Sequence, residues 1–434
     1  MISLLISRHI DLKARLRTWM WPSLYTAFAQ GLIQALGLLS GLLTVRFLTP
    51  TQYAYYTIAA AGLGALTTFS DGGISSGVLA QGGAVWQDRE RLGGVVATGL
   101  RLRMHLSLIA LLIGLPWVAL LIRHQGASWI ETILVSASVV PIFAATASGL
   151  ILETVPRLHQ ALAPLQRIQV ANNLIRTALI GLLLPVWPLA WVAMTLTALS
   201  QWWSNLRMRR LASRHAKWRT QPDSQVRRQI VGLVKRMLPA AGFYALSGQL
   251  TVWLISVFGS ASSVAAIGAL GRLGMVFTVV TSVFSTLAAP RFSRLPHEQA
   301  ALIARRYFQI QVVLAAACTL PLLAFAAFPA PILTVLGPQY SGLGRELFLM
   351  GLCTAIATLA GVAYHLGASR GIVVPPRLYL PYSLVTQICL LVIFPLNTVH
   401  GVLLIGTFYA VGQWLLHAGY FEWLRRSVQQ PPTG

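Results

Sequence analysis

The chain has 434 residues, of which 56% are hydrophobic and only 10% charged, with a mean hydropathy of +0.68. A soluble domain carries about a quarter charged residues, so this composition excludes a string of soluble domains and calls for a polytopic membrane protein. The net charge of +23 is dispersed among loops between apolar stretches. That dispersal excludes a nucleic-acid partner and points to anionic inner-leaflet lipids and an anionic transported solute.

The first 21 residues hold a five-residue apolar patch before Arg8, too short for a signal-peptide core, and read as a basic amphipathic tail on the cytoplasmic surface. A membrane-crossing helix needs about 20 apolar residues. On that measure the sequence predicts spans at 22–45, 53–72, 104–122, 129–152, 168–186 and 188–205. After a basic connection over 207–237, six more follow at 238–258, 264–289, 307–328, 346–366, 378–395 and 400–421, with a C-tail over 422–434. The stretch 329–342, rich in Pro and Gly, is expected as an external turn between the ninth and tenth spans. The expected fold is an all-α polytopic membrane protein with twelve transmembrane helices. These form an N-lobe (22–206) and a C-lobe (238–421) related by a pseudo-two-fold axis along the membrane normal.

Basic residues orient this arrangement. The connection alone holds ten Lys and Arg, from Arg207 to Arg236, against the single acid Asp223. With both termini on the side of that connection, 28 Lys and Arg fall in inner segments, among them Arg101 and Arg103. Three fall in outer loops, and Arg176 and Arg272 lie inside spans. The positive-inside bias therefore places both termini in the cytoplasm.

Enzymatic and ATP-driven readings find no support, because no GxxxxGK[ST], HExxH or GxSxG pattern occurs. No cofactor or metal is expected. Cys318, Cys353 and Cys389 each sit in an apolar segment and read as core packing. His365 and His417, late in their spans, read as packing as well.

Charges at membrane depth face a wet cavity or a partner. Arg272 and Arg176 are both expected near mid-depth. A guanidinium stays charged and forks onto phosphate oxygens, so the pair is the candidate for a cationic cavity that grips a phosphate-bearing substrate. Asn172 and Asn173 lie one turn before Arg176 and either extend its polar face or bond a neighbouring helix. The first span contributes Tyr25, Gln30 and Gln34, and the seventh contributes Tyr244, Gln249 and Trp253. The five-residue spacings Tyr25–Gln30 and Tyr244–Gln249 echo each other, so these first helices are expected to line a central cleft. Asp71, before Gly72 and Gly73, reads as a proton or cation carrier, as a counter-ion to an arginine, or as a cap where the helix breaks.

Three stretches resemble the polysaccharide flippases of the multidrug/oligosaccharidyl-lipid/polysaccharide (MOP) superfamily. In residues 46–78, Arg46, Leu48, Pro50, Tyr53, Asp71 and Gly73 match the signature of the first two spans, with Gln52 and Ala54 replacing an acid and a glycine. Residues 264–277 with APRFSRL resemble the eighth span and its exit, and PILTVLGPQYSG the turn after the ninth. The resemblance implies two lobes around a cationic cleft, with Arg272 lining it, and alternating access. The implied substrate is a saccharide linked to undecaprenyl pyrophosphate, carried from the inner to the outer leaflet. It further implies polysaccharide polymerase machinery as a partner, and a monomer. Rival readings are a major-facilitator-type transporter, which shares only Asp88-Arg89 of its loop signature, and a MATE-type drug or cation antiporter, which would want more buried acids.

Overall fold

The computed structural model describes residue 25 and residues 28–217, 221–293, 300–370 and 372–429. The amphipathic N-tail over 1–21 and the end of the C-tail lie outside the described residues. All regular structure within them is helical. The first lobe comprises α1 (Phe28–Phe47), α2 (Pro50–Asp71), α3 (Ile74–Ala84), α4 (Arg89–His124), α5 (Trp129–Leu158), α6 (Leu162–Leu183) and α7 (Ala190–Ser213). The second comprises α8 (Ser224–Ser247), α9 (Leu250–Phe258), α10 (Ala261–Gly274), α11 (Val276–Ser293), α12 (Ala300–Ala327), α13 (Pro329–Leu336), α14 (Gly344–Ala368), α15 (Pro376–Ile393) and α16 (Val399–Gln429).

Among the described residues, eight helical stretches are long and apolar enough to cross a membrane singly, and α8 with α9 makes a ninth span bent by 49° at Gly248–Gln249. Helices α2, α6 and α7 are 22 to 24 residues long and fall short only in hydropathy, because they carry the polar side chains described below. With these three the spans number twelve, six to a lobe. Side chains such as Leu112, Leu182, Leu320 and Val392 stay exposed on the outer surface, as a bundle solvated by lipid requires.

The spans run longer than hydropathy alone predicts, and the excess lies at the basic end. Helix α4 begins at Arg89 rather than at 104, so Arg103, expected in an inner loop, lies within a helix and is 1% exposed. The connection is itself largely helical: α7 continues to Ser213 and α8 starts at Ser224, capped by Asp223 Oδ1 accepting from the Gln225 and Val226 amides. The expected external turn also contains α13 and a short 3-10 helix over Pro338–Tyr340. A second apolar core, with Ile74, Val78, Leu92, Val96, Ile151, Leu152 and Ile230, accounts for the extension, because it packs α3 and the added turns together beyond the main core.

Glycine makes the break between α2 and α3. Gly72 and Gly73 take φ of +46° and +93°, left-handed values that side chains resist. Asp71, immediately before, accepts from the Ser75 backbone amide at 3.3 Å and so caps α3. The same carboxylate pairs with Arg103, whose Nη1 also lies 3.2 Å from Ser75 Oγ. Asp71 is thus both a cap and a counter-ion, and it ties α2, α3 and α4 to one point.

The lobes meet along α2. At the end away from the basic connection the contact is tight: a Cβ placed on Gly268 of α10 would lie 2.3 Å from Thr57 Oγ1 on α2. Beside it, Gln125 Nε2 donates to the carbonyls of Ser256 (2.7 Å) and Gly259 (3.1 Å), across from α4 to the end of α9. At the basic end the lobes part around a cavity of about 610 Å³.

Two outcomes follow from these contacts. Asp71→Asn strands the Arg103 charge and lowers stability by about 3 kcal/mol, the low end for cutting a buried pair because Asp71 keeps some exposure. Asp71→Asn with Arg103→Met recovers most of the loss, read as the unfolding midpoint in detergent. Unchanged stability with lost transport would instead make Asp71 an ion carrier. Gly268→Leu wedges α2 from α10, so cysteines placed beside Thr57 become accessible from the far side while membrane abundance holds; an unchanged labelling rate would contradict the tight contact.

Candidate functional site

Helix α1 carries Gly37, Ser40, Gly41 and Thr44, small residues three and four apart that share one face. Two arginines from different lobes lie against this face. Arg176 of α6 donates from Nη2 to Ser40 Oγ at 2.8 Å and to Asn173 Oδ1 at 3.2 Å. The same Nη2 lies 3.8 Å from where a Gly37 Cβ would be. Arg272 of α10 sits one turn further along: a Cβ on Gly41 would fall 2.9 Å from its Cδ. The two anchor points are four residues apart, or about 6 Å along the helix.

Arg272 has only neutral partners. Its Nε donates to Tyr53 Oη at 3.4 Å, and its guanidinium carbon lies 5.8 Å from the centre of the Tyr56 ring, within reach of a cation–π attraction. Both arginines retain some accessible surface, while Arg176 Nε is buried without a partner. Among the described residues neither guanidinium meets a carboxylate. Asp71 is already engaged by Arg103. Two guanidinium groups therefore stand close together, held by hydroxyl, amide and ring, with no acid to balance them. An arginine cannot shed its charge, so this arrangement favours an anion supplied from elsewhere.

The other predicted residues divide. Asn173 belongs to the site, since it holds Arg176. Asn172 turns away, donating from Nδ2 to Gln201 Oε1 at 3.2 Å. Gln34 is partly buried one turn before Gly37, whereas Gln30 and Tyr25 lie further along α1 and are exposed. Gln249 occupies the break between α8 and α9, with Nε2 3.1 Å from where a Gly64 Cβ would be. Trp253 packs on the main core with its Nε1 unpartnered. Ser40 and Tyr56 were not singled out from the sequence. The Gly37–Ser40–Gly41 run was their signal, because small residues at helical spacing leave room for a large neighbour. Tyr53 stands out in the sequence only through the family motif.

Toward the basic end, the 610 Å³ cavity opens between α2 and the second lobe, lined among others by Thr67, Asp71, Arg236, Tyr244, Tyr379 and His417. Thr67 is 11 residues along α2 from Tyr56, or about 16 Å. The arginines thus lie deeper between the lobes than this vestibule, toward the closed end.

No protein-family model and no curated protein sequence matches the chain. Solved structures do match. The chain is similar to the inward-facing conformation of a multidrug resistance MATE family transporter of the MOP superfamily, with TM-score 0.68, 15% identity, and 91% of this chain and 94% of that one covered. It is similar to the lipid II flippase MurJ in an inward closed conformation, with TM-score 0.69, 11% identity, and 94% and 88% covered. An outward-facing MATE transporter of the MOP superfamily gives 0.62 at 14% identity, covering 94% and 95%. At such identities the likeness is one of fold. The chain shares the two-lobed helical fold of these solved transporters.

Proposed function

We propose that the chain is a flippase of the bacterial cytoplasmic membrane that moves undecaprenyl-pyrophosphate-linked saccharide units from the inner to the outer leaflet by alternating access. The observation that carries this reading is the pair Arg176 and Arg272, set between the lobes without an acid. A pyrophosphate is the part of such a lipid that hydrocarbon rejects most strongly. Two preorganised guanidinium groups can replace its water with bidentate, charge-assisted hydrogen bonds. Arginines contributed by different lobes also bind the headgroup most fully only when the lobes hold one relative position, which couples occupancy to conformation.

The packing supports the same cycle. With the basic connection cytoplasmic, the vestibule opens inward and the Gly268–Thr57 and Gln125–Ser256 contacts close the outer side. Outward opening requires those contacts to part and the walls of the vestibule to meet. The bend at Gly248–Gln249 and the break at Gly72–Gly73 are the places where helices beside the vestibule can change direction. On this reading polysaccharide polymerase machinery receives the product, and a single chain is the working unit.

A MATE-type exporter of organic cations shares the fold but fits the charges less well. A cation would face two uncompensated arginines, and Asp71 is paired. The fold matches reported above are MATE transporters and a lipid II flippase, which favours those readings over the major-facilitator one.

In a strain deleted for the gene, Arg272→Ala leaves membrane abundance normal, fails to complement, and lets lipid-linked glycan accumulate on the inner leaflet. Purified Arg272→Gln binds undecaprenyl pyrophosphate about 10- to 100-fold more weakly than wild type, the loss of about 1.4 to 2.7 kcal/mol that a hydrogen bond to a charged group supplies. Full complementation by Arg272→Ala would remove this residue from the mechanism.

A further inference from the structure

A second cavity, of about 480 Å³, lies wholly within the C-lobe between α8, α9, α14, α15 and α16. Tyr244, Tyr364, Tyr379 and His417 line both this cavity and the vestibule, so the two spaces meet at an aromatic junction. The rings there are close and partly parallel. Tyr244 and Tyr379 are 5.5 Å apart at 30°, Tyr379 and His417 6.0 Å apart at 18°, and Tyr364 and His417 5.3 Å apart. Beyond the junction the wall is mostly apolar, formed by side chains such as Leu254, Val402 and Ile405, with a polar seam of Ser247, Thr251, Tyr409 and Gln413. In that seam Gln413, 8% exposed, donates from Nε2 to Ser383 Oγ at 2.9 Å, while its Oε1 is buried with no partner.

This chemistry selects an occupant. Among the described residues no carboxylate lines the C-lobe cavity, which disfavours a cation. The vestibule's Asp71 is paired with Arg103. An unpartnered amide oxygen calls for a ligand that brings an O–H or N–H donor. Flat ring faces suit a ligand with C–H-bearing faces, and a volume of a few hundred Å³ is that of a small-molecule site. A pyranose has donors at its rim and C–H groups on its faces, and is neutral.

We infer that the C-lobe cavity, entered past Tyr379 and His417, is a saccharide subsite that takes the sugar end of the lipid-linked substrate. The inference rests on the flippase reading, and assigns the sugar to the C-lobe while the arginines between the lobes hold the pyrophosphate. Alternating rearrangement of α8 at Gly248, which lines the cavity, would then load and release the sugar together with the headgroup.

The test is a thermal-shift titration of the purified full-length chain in detergent. The probes are undecaprenyl pyrophosphate, N-acetylhexosaminyl- and hexosyl-pyrophosphoryl-undecaprenol, and tetraphenylphosphonium. The expected result is that at least one glycosylated lipid binds wild type about tenfold or more tighter than the bare lipid. Gln413→Leu and Tyr379→Leu should each bring that advantage to within about twofold, with bare-lipid affinity unchanged. The bare-lipid value also reports that each variant is folded, and the near-isosteric Gln413→Leu decides the matter should Tyr379→Leu fail. No sugar-dependent gain in wild type, or its persistence in Gln413→Leu, overturns the subsite. Tetraphenylphosphonium binding that Tyr379→Leu abolishes assigns the cavity to an organic cation and also overturns it. If Arg272→Gln binds the bare lipid as wild type does, the flippase reading fails on its own, whatever the sugar contributes.

Discussion

Placing two permanent charges between helices in a lipid-solvated bundle, without an acid beside them, is the constraint to which the rest of this structure answers. A guanidinium at membrane depth costs at least a few kcal/mol, and arginine cannot escape by deprotonation. The fold reduces that cost with what neutral groups offer: the Ser40 hydroxyl, the Asn173 amide, the Tyr53 hydroxyl and the Tyr56 ring. It also makes room for them. Gly41 lets α1 approach Arg272, since any side chain there would take the space of the Arg272 stem. What remains is an electrostatic deficit suited to an anion, which is the physical basis for assigning a phosphate-bearing substrate.

The contrast with Arg103 sharpens the point. That arginine is also buried, and its Nε too lacks a partner, yet its charge is met by an acid. It is matched by Asp71 and Ser75 at the corner where α2 breaks into α3, and it serves to fix three helices. The same residue type plays two roles in one protein, and the presence or absence of a carboxylate separates them. The division extends to gating. Close backbone approach through Gly268 and the Gln125 bonds to α9 carbonyls hold one end of the lobe interface shut, while tyrosines, Asp71 and Arg236 border an open vestibule at the other.

Much of this is readable from the residues alone. Runs of about 20 apolar residues locate the spans, because lipid solvation forces continuous apolar surface on any helix that crosses it. Arg176 and Arg272 stand out as charges in such runs. The helical extensions at the basic end are not readable by the same rule. Residues 74–84 are too few to cross hydrocarbon and residues 89–103 carry too many charges, and they are helical because a second core packs them beyond the main one. Arg103 is misplaced by hydropathy for that reason, and its pairing with Asp71, 32 residues away, is a tertiary interaction that periodicity does not encode. The convergence of Arg176 and Arg272 on one face of α1 is likewise invisible, because it joins three segments distant in sequence. Of the tyrosines at the C-lobe junction only Tyr244 stands out in the sequence, through its spacing from Gln249. Tyr364 and Tyr379 give no signal, since a Tyr near a span end reads as an interfacial anchor until neighbouring helices bring several of them together.

The central claim is that a bound phosphate group is the missing counter-charge of Arg176 and Arg272. Solid-state NMR distances between guanidinium nitrogens and the phosphorus atoms of undecaprenyl pyrophosphate, with the full chain in bilayers, test it most directly. The account predicts phosphorus within about 4 Å of guanidinium nitrogen in wild type, and no such proximity in the Arg176→Gln/Arg272→Gln double variant. Lipid that binds wild type without approaching either guanidinium, or that binds the double variant just as tightly, would contradict it.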